Sequence, residues 1–196
     1  MYIPPNRRGM SAKVQAPYVL AEIRALRSSL FKKTPEVKAA LAIADRVEQT
    51  YDLTRTDLFL PVPETMNAII EPLATSVFTG TLREIGYEMF PQYLSILNIP
   101  RANAKATLGL ATPDDLIRFV CDAYSKSVIG SDAGALEPST AGSTTTVTDT
   151  SVVPCELNMG VFTGAGQVTG LFRSNVVTER RCRANGNHAC SYDFAF

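Results

Sequence analysis

Histidine occurs once in the 196-residue chain, at position 188, which leaves no material for a Ser/His/Asp catalytic set away from that position. An excess of either charge is also missing: 19 basic and 19 acidic side chains cancel, so the footprint of a dedicated nucleic-acid binder is absent unless a local patch supplies it. Long hydrophobic runs are lacking as well. No window approaches the roughly 20 apolar residues of a spanning helix, and the N-terminal MYIPPNRRGMSAKVQAPY has charges but no apolar core of an export signal. These absences predict a cytoplasmic protein without a membrane span. Four cysteines are too few to build a disulfide scaffold, and without export the thiols are expected to stay reduced, so their spacing matters more than their number.

Hydrophobic residues make up 45% of the chain, enough to bury a core. Residues 1–17, with Arg7, Arg8, Lys13 and the Pro4-Pro5 pair, read as a flexible arm, and residues 18–196 as a single domain. Leu20, Ile23, Leu26 and Leu30 follow helical spacing from Val19, and Thr34-Pro35-Glu36 supplies a cap, a first-turn proline and an early acid for a second helix. After an extended LFLPVP, residues 64–97 read as helical, with a stripe of Phe78, Leu82, Ile85 and Met89 that Pro72 and Pro91 should kink or divide. Thr112-Pro113-Asp114-Asp115 starts a further helix through Leu116, Phe119, Val120, Ala123 and Tyr124.

From SDAGALEPSTAGS (131–143), read as a loop, the composition turns to Thr, Val and Phe with glycines at turn-like intervals. Strands are predicted near 144–153, 155–163, 167–173, 175–182 and 190–196 as an antiparallel meander. Helices first and strands second argue for an α+β fold, N-terminal helices packed on a C-terminal antiparallel sheet.

The stretch TERRCRANGNHACSYDF (178–194) holds two of the four cysteines and the only histidine. A hairpin turning at Asn185-Gly186-Asn187 would set Cys182 opposite Cys190, a geometry that suits a shared metal or a disulfide. Cys155 at the start of an earlier strand can add a third thiolate. Glu179, three residues before Cys182, points to the opposite face of a regular strand, so a bulge or strand end is needed to bring both to one ion. His188 competes with it as the fourth donor, and residue types alone do not choose. Arg180, Arg181 and Arg183 can offset the charge of such a centre or simply edge a solvated strand. Cys121, amid apolar neighbours in a helix, reads as a core thiol.

The run Cys155-x4-Gly160-x3-Gly164 followed by Glu179-x2-Cys182-x3-Gly186-x3-Cys190 and the closing strand to Phe196 resembles the 4-vinyl reductase domain family. Its relatives include the sensory domains of phenol-responsive transcription activators and, distantly, transport-complex (TRAPP) subunits of the Golgi. The resemblance covers residues 145–196, with TGTLREIGYEMF (79–90) similar to the family's glycine-marked long helix. It implies a TRAPP-like fold, frequent homodimers, a pocket for apolar or planar ligands, and a structural zinc ion held by Cys155, Glu179, Cys182 and Cys190. The tryptophan and upstream histidine that grip phenols in the activators are missing here, as are their ATPase and DNA-binding segments, which disfavours a phenol sensor.

The leading expectation is a non-catalytic carrier or sensor of a hydrophobic or planar small molecule. Family members in photosynthetic organisms are associated with chlorophyll-type tetrapyrroles, which makes a pigment precursor a candidate cargo. Phe78, Met89, Phe119, Tyr124 and Phe162 can line a pocket or simply fill the core. A 4-vinyl reductase is the enzymatic alternative, weakened because TGAGQVTG (163–170) is an imperfect dinucleotide fingerprint that reads as a hairpin turn. A dimeric assembly scaffold is the third.

Overall fold

The computed structural model describes residues 11–29, 34–74, 80–172 and 176–196. The Ser11 N–H and hydroxyl both donate to the Asp132 carboxylate at 2.7 Å. Lys13–Gln15 then forms β1, the middle strand of a three-stranded antiparallel sheet between β2 (Phe59–Pro61) and β3 (Val128–Ile129). Val14 faces Leu60 on one side and Val128 on the other, all three buried. The arm expected over 1–17 is therefore corrected from Ser11 onward, because backbone pairing on both edges and a buried valine fix it. Residues 1–10, with Arg7, Arg8 and the proline pair, lie outside the described residues.

Helix α1 (Ala16–Ser28) follows directly and buries Val19, Leu20, Ile23 and Leu26 as their spacing predicts. Helix α2 (Pro35–Thr50) starts on its expected cap, with the Val37 N–H donating to Thr34 Oγ1 at 3.3 Å. The helical stretch expected over 64–97 is divided into α3 (Met66–Ala74) and α4 (Thr81–Ile96). The division falls at neither proline: Pro72 and Pro91 both lie inside helices, and α4 begins after Gly80 at φ +102°. Phe78 lies outside the described residues. After the short α5 (Ala104–Thr107), α6 (Pro113–Ser127) carries the predicted capping box: the Asp115 N–H donates to Thr112 Oγ1 and the Thr112 N–H to Asp115 Oδ2.

The second half differs from the predicted meander. Strand β4 (Leu136–Ala141) occupies the presumed loop and turns through Gly142-Ser143 into β5 (Thr144–Asp149), with Gly142 at φ +60°. Of the residues expected as two strands over 155–163 and 167–173, those up to Thr169 instead belong to α7 (Cys155–Thr169), and Arg173 lies outside the described residues. Strands β6 (Val177–Arg181) and β7 (Cys190–Ala195) follow as expected, and the sheet order is β4-β5-β7-β6. The arrangement is α+β, with antiparallel pairing throughout both sheets.

The glycines of α7 explain the misreading. A Cβ on Gly160 would stand 2.1 Å from the Arg83 carbonyl oxygen, and one on Gly164 2.1 Å from that of Tyr87. Gly86 of α4 approaches the Leu157 carbonyl just as closely. The two helices meet backbone to backbone, so these glycines mark an approach across space and not turns along the chain. The face of α7 toward the four-stranded sheet carries Phe162, whose ring meets those of Tyr192 and Phe194 at centroid distances of 6.2 and 5.0 Å. One buried cluster runs from Ala12 to Phe194 and includes side chains of both sheets and of α1, α4, α6 and α7.

Candidate metal centre and adjoining cavity

Cys155 is the first residue of α7, after Pro154 in extended conformation, and not the start of a strand. That position puts its sulfur at the positive end of the helix. On the other side of the site, β6 pairs Glu179 with Tyr192 and then Arg181 with Ser191, which leaves Arg180 unopposed. This bulge resets the alternation by one residue and turns Glu179 and Cys182 to the same side, the irregularity that a shared ion requires. Beyond Cys182 a 3-10 turn over Arg183–Asn185 closes at Gly186, φ +83°, and the Asn187 side chain donates to the Cys182 carbonyl at 3.0 Å. Cys190 opens β7 opposite Asp149 of β5.

The ligand atoms of Cys155, Glu179, Cys182 and Cys190 all lie within 4.8 Å of one another, so all four residues come together where one metal ion can be held. The Cys155 and Cys182 sulfurs are 3.3 Å apart. None of the four cysteines is in a disulfide. His188 is exposed in the turn and belongs to no such cluster among the described residues. Cys121 is buried in α6, where desolvation pushes its thiol up to about 12, in keeping with a core role.

The electrostatics of the cluster are uneven. Cys190 is lowered to about 6: a hydrogen bond from Cys155 is the largest cause, and the Arg183 N–H, donating at 3.2 Å, adds to it against the opposing effect of burial. Cys155 is pushed in the opposite direction by the same contact and by burial. The contact between the two sulfurs thus drives their proton affinities apart, a crowding that a divalent cation between thiolates would relieve. Glu179 Oε1 is buried and has no hydrogen-bond partner, an orphaned carboxylate oxygen on the side of the cluster. Three thiols and this oxygen are a donor set that suits zinc in its tetrahedral, closed form.

Of the three arginines only Arg183 reaches inward. Its guanidinium donates to the Ser151 carbonyl at 2.6 Å and the Val153 carbonyl at 3.2 Å, and stands 3.6 Å from Asp149. Arg180 pairs with Asp193, and Arg181 is exposed. Asp149 is fully buried and accepts from the Ser151 N–H at 2.8 Å, the Asn158 amide at 2.9 Å and the Tyr192 hydroxyl. Sequence reasoning missed this carboxylate, since nothing in TTTVTDTSVV distinguishes a buried aspartate from a turn residue.

Asn158 also lines an apolar cavity of about 40 Å³ between α1, α4, α6 and α7. Met89, Phe119 and Tyr124 of the expected candidates line it, whereas Phe162 packs in the core. Tyr18, Phe90 and Tyr93 complete the aromatic wall. Tyr18 was overlooked because it adjoins the supposed arm. One residue beyond the lining Ala21, Glu22 is buried with neither carboxylate oxygen hydrogen-bonded, and desolvation raises its carboxyl well above the usual range.

Neither models of known protein families nor curated proteins match the chain. No helix among the described residues is long and apolar enough to cross a membrane.

Proposed function

We propose that the chain is a zinc-containing, non-catalytic binding protein for a hydrophobic or planar small molecule, on a 4-vinyl-reductase-like, TRAPP-like fold. The observation that carries the reading is the convergence of Cys155, Glu179, Cys182 and Cys190 at one end of α7, the helix whose next turn walls the cavity. With four protein donors the zinc ion would have no open position for substrate, so its contribution is to cross-link α7 to the β6–β7 hairpin. A chlorophyll precursor is one candidate cargo within this reading. A tetrapyrrole macrocycle exceeds a cavity of about 40 Å³ many times over, so that version requires the helices around it to part. A cytoplasmic location and a homodimer formed through the helical half belong to the same proposal.

The reductase reading is weakened further by the place of Gly164 and Gly166. Both lie inside α7 and face the Tyr87 carbonyl and the Phe172 ring, leaving no room for a pyrophosphate. Incubation of purified protein with extracted pigments, followed by size exclusion with absorbance and light-scattering detection, tests the proposal. Co-eluting pigment without turnover supports a carrier; conversion in the presence of a reductant overturns the non-catalytic reading. A mass near that of one 21.3 kDa chain at tens of micromolar would remove the dimer.

A further inference from the structure

Two sulfurs of the cluster are closer together than a bound ion would hold them. Zinc–thiolate bonds of about 2.3 Å at the tetrahedral angle set neighbouring sulfurs about 3.8 Å apart, whereas Cys155 Sγ and Cys182 Sγ are 3.3 Å apart. A disulfide needs about 2.05 Å, so the pair stands between the two bonding states. Each residue sits at the end of an element and can close the rest without dismantling it. Cys155 is the first residue of α7, and Cys182 follows the last residue of β6 and precedes the 3-10 turn. Each is 8% exposed.

Cys190 is held differently. It is 1% exposed, its sulfur accepts the Arg183 backbone N–H at 3.2 Å, and its backbone is paired with Asp149 in the β5–β7 ladder. The hairpin register sets Arg181 against Ser191 and carries on to Cys182 against Cys190. A bond between those two would turn the Cys190 sulfur from the Arg183 N–H and leave α7 untied. Cys121, buried in α6, belongs to no cluster of metal-donor residues among the described residues. Of the four thiols, Cys155 and Cys182 are therefore the two whose joining costs the surrounding structure least.

We propose that Cys155 and Cys182 form a redox-responsive modification site, at which a hydroperoxide converts the metal centre into a disulfide and expels the ion. The thiolate of one attacks the peroxide, the O–O bond breaks, and an alkoxide or hydroxide leaves. The second thiolate attacks the resulting sulfenic acid, forming the S–S bond and releasing hydroxide. Two electrons pass from the sulfurs to the peroxide, and the two anions released balance the charge of the departing divalent cation. Cys190 and Glu179 alone are too few donors for a closed tetrahedral site, so the metal leaves. The disulfide joins the same elements that zinc would join, α7 and the β6–β7 hairpin, so oxidation exchanges one cross-link for another and the fold survives. Release of the ion rests on the zinc-binding reading; the choice of the pair rests on the sulfur geometry alone.

Hydrogen peroxide tests the proposal on the full-length protein, with zinc counted by elemental analysis beforehand and its release followed with a chromogenic chelator. About one equivalent of peroxide should release about one equivalent of zinc and lower the intact mass by about two units, and dithiothreitol with added zinc should restore both. Trypsin, cutting after Lys126, Arg173, Arg181 and Arg183, puts the cysteines on separate peptides. The expected cross-link joins the peptide Ser127–Arg173 to Cys182–Arg183. The oxidised protein should melt cooperatively at a temperature that a chelator no longer changes. Cys190→Ser, which retains the pair, should form the same link; if that variant does not fold, the digest of the unaltered protein decides alone. A link to Cys190, links between chains, or sulfinic acid without a disulfide overturns the proposal. Zinc retained beside unmodified cysteines overturns it too, and leaves the metal reading standing. Protein that holds no zinc at the outset yet forms the Cys155–Cys182 link overturns the metal reading and the expulsion step, and leaves the pair standing.

Discussion

Cys155 and Cys182 are 27 residues apart in sequence and bring their sulfurs to 3.3 Å. One stands at the start of a helix and the other at the end of a bulged strand, so their meeting is a tertiary event that joins α7 to the terminal hairpin. Purified without chelator, the protein is expected to contain about one zinc per chain by elemental analysis. Chelation should lower the melting temperature, since structural zinc sites have apparent binding free energies of about 10–16 kcal/mol. Cys182→Ser and Cys190→Ser should lose the metal. His188→Ala should keep it and Glu179→Gln should not; the reverse pattern would transfer the fourth position to His188.

Arg183 touches the sulfur of Cys190 through its backbone N–H, while its guanidinium ties down the 151–153 segment and also favours the Cys190 thiolate. Truncation to alanine keeps the backbone contact and removes both effects of the guanidinium. Arg183→Ala should therefore still bind metal at the same stoichiometry, with affinity reduced about 10- to 100-fold in a chelator competition. Unchanged affinity would show that the guanidinium serves the fold alone.

Gly160 has the Arg83 carbonyl oxygen where a Cβ would be, and backbone cannot yield as a side-chain tip can. Gly160→Ala is expected to cost about 3 kcal/mol or more, lowering the melting temperature by at least about 6 °C in a chain of this size. Gln167→Ala, at an exposed position of the same helix, is the control and should change it little. Equal melting of the two variants would refute the close crossing of α4 and α7.

Glu22 is a buried carboxyl without a hydrogen-bond partner, and its folded-state pKa is raised. Between its unfolded value, about 4.3, and its folded value, the native state keeps the proton that the unfolded chain has released. Stability must therefore fall as pH rises through that window. Glu22→Gln removes the titration, so its melting temperature relative to the parent should climb from pH 4 toward pH 8. A difference independent of pH would mean that Glu22 finds a partner in solution.

Asp114 works in the opposite direction. Hydrogen bonds from Thr140, Arg118 and Thr145 lower its carboxyl and tie the start of α6 to the β4–β5 hairpin. Its contribution is present above the unfolded value, about 3.9, and is lost as pH falls through the lower folded value. Asp114→Asn should destabilise at neutral pH and converge with the parent in acid melts as pH falls below that lowered folded value. A constant deficit down to that pH would assign the loss to geometry instead of charge.

The amino-acid sequence by itself determined those features whose partners are close along the chain. Thr34 and Thr112 cap helices because the N–H groups they satisfy are three residues away, and the Asn185-Gly186-Asn187 turn brings Cys182 near Cys190 because only seven residues intervene. The candidate donors were legible for a related reason: sulfur and carboxylate chemistry survives any rearrangement of the backbone around it, so Cys155 lies in one cluster with Glu179, Cys182 and Cys190 even though its helix was read as a strand. Tertiary structure alone decided what the glycines of α7 mean, since Gly160 and Gly164 are compatible with a turn until α4 is laid against them. It also decided that Arg180 is a bulge, that Asp149 is buried, and that Tyr18 and Asn158 face one cavity. In each case the residue's local preference is weak, and the deciding free energy comes from a group dozens of positions away that no spacing in the sequence announces.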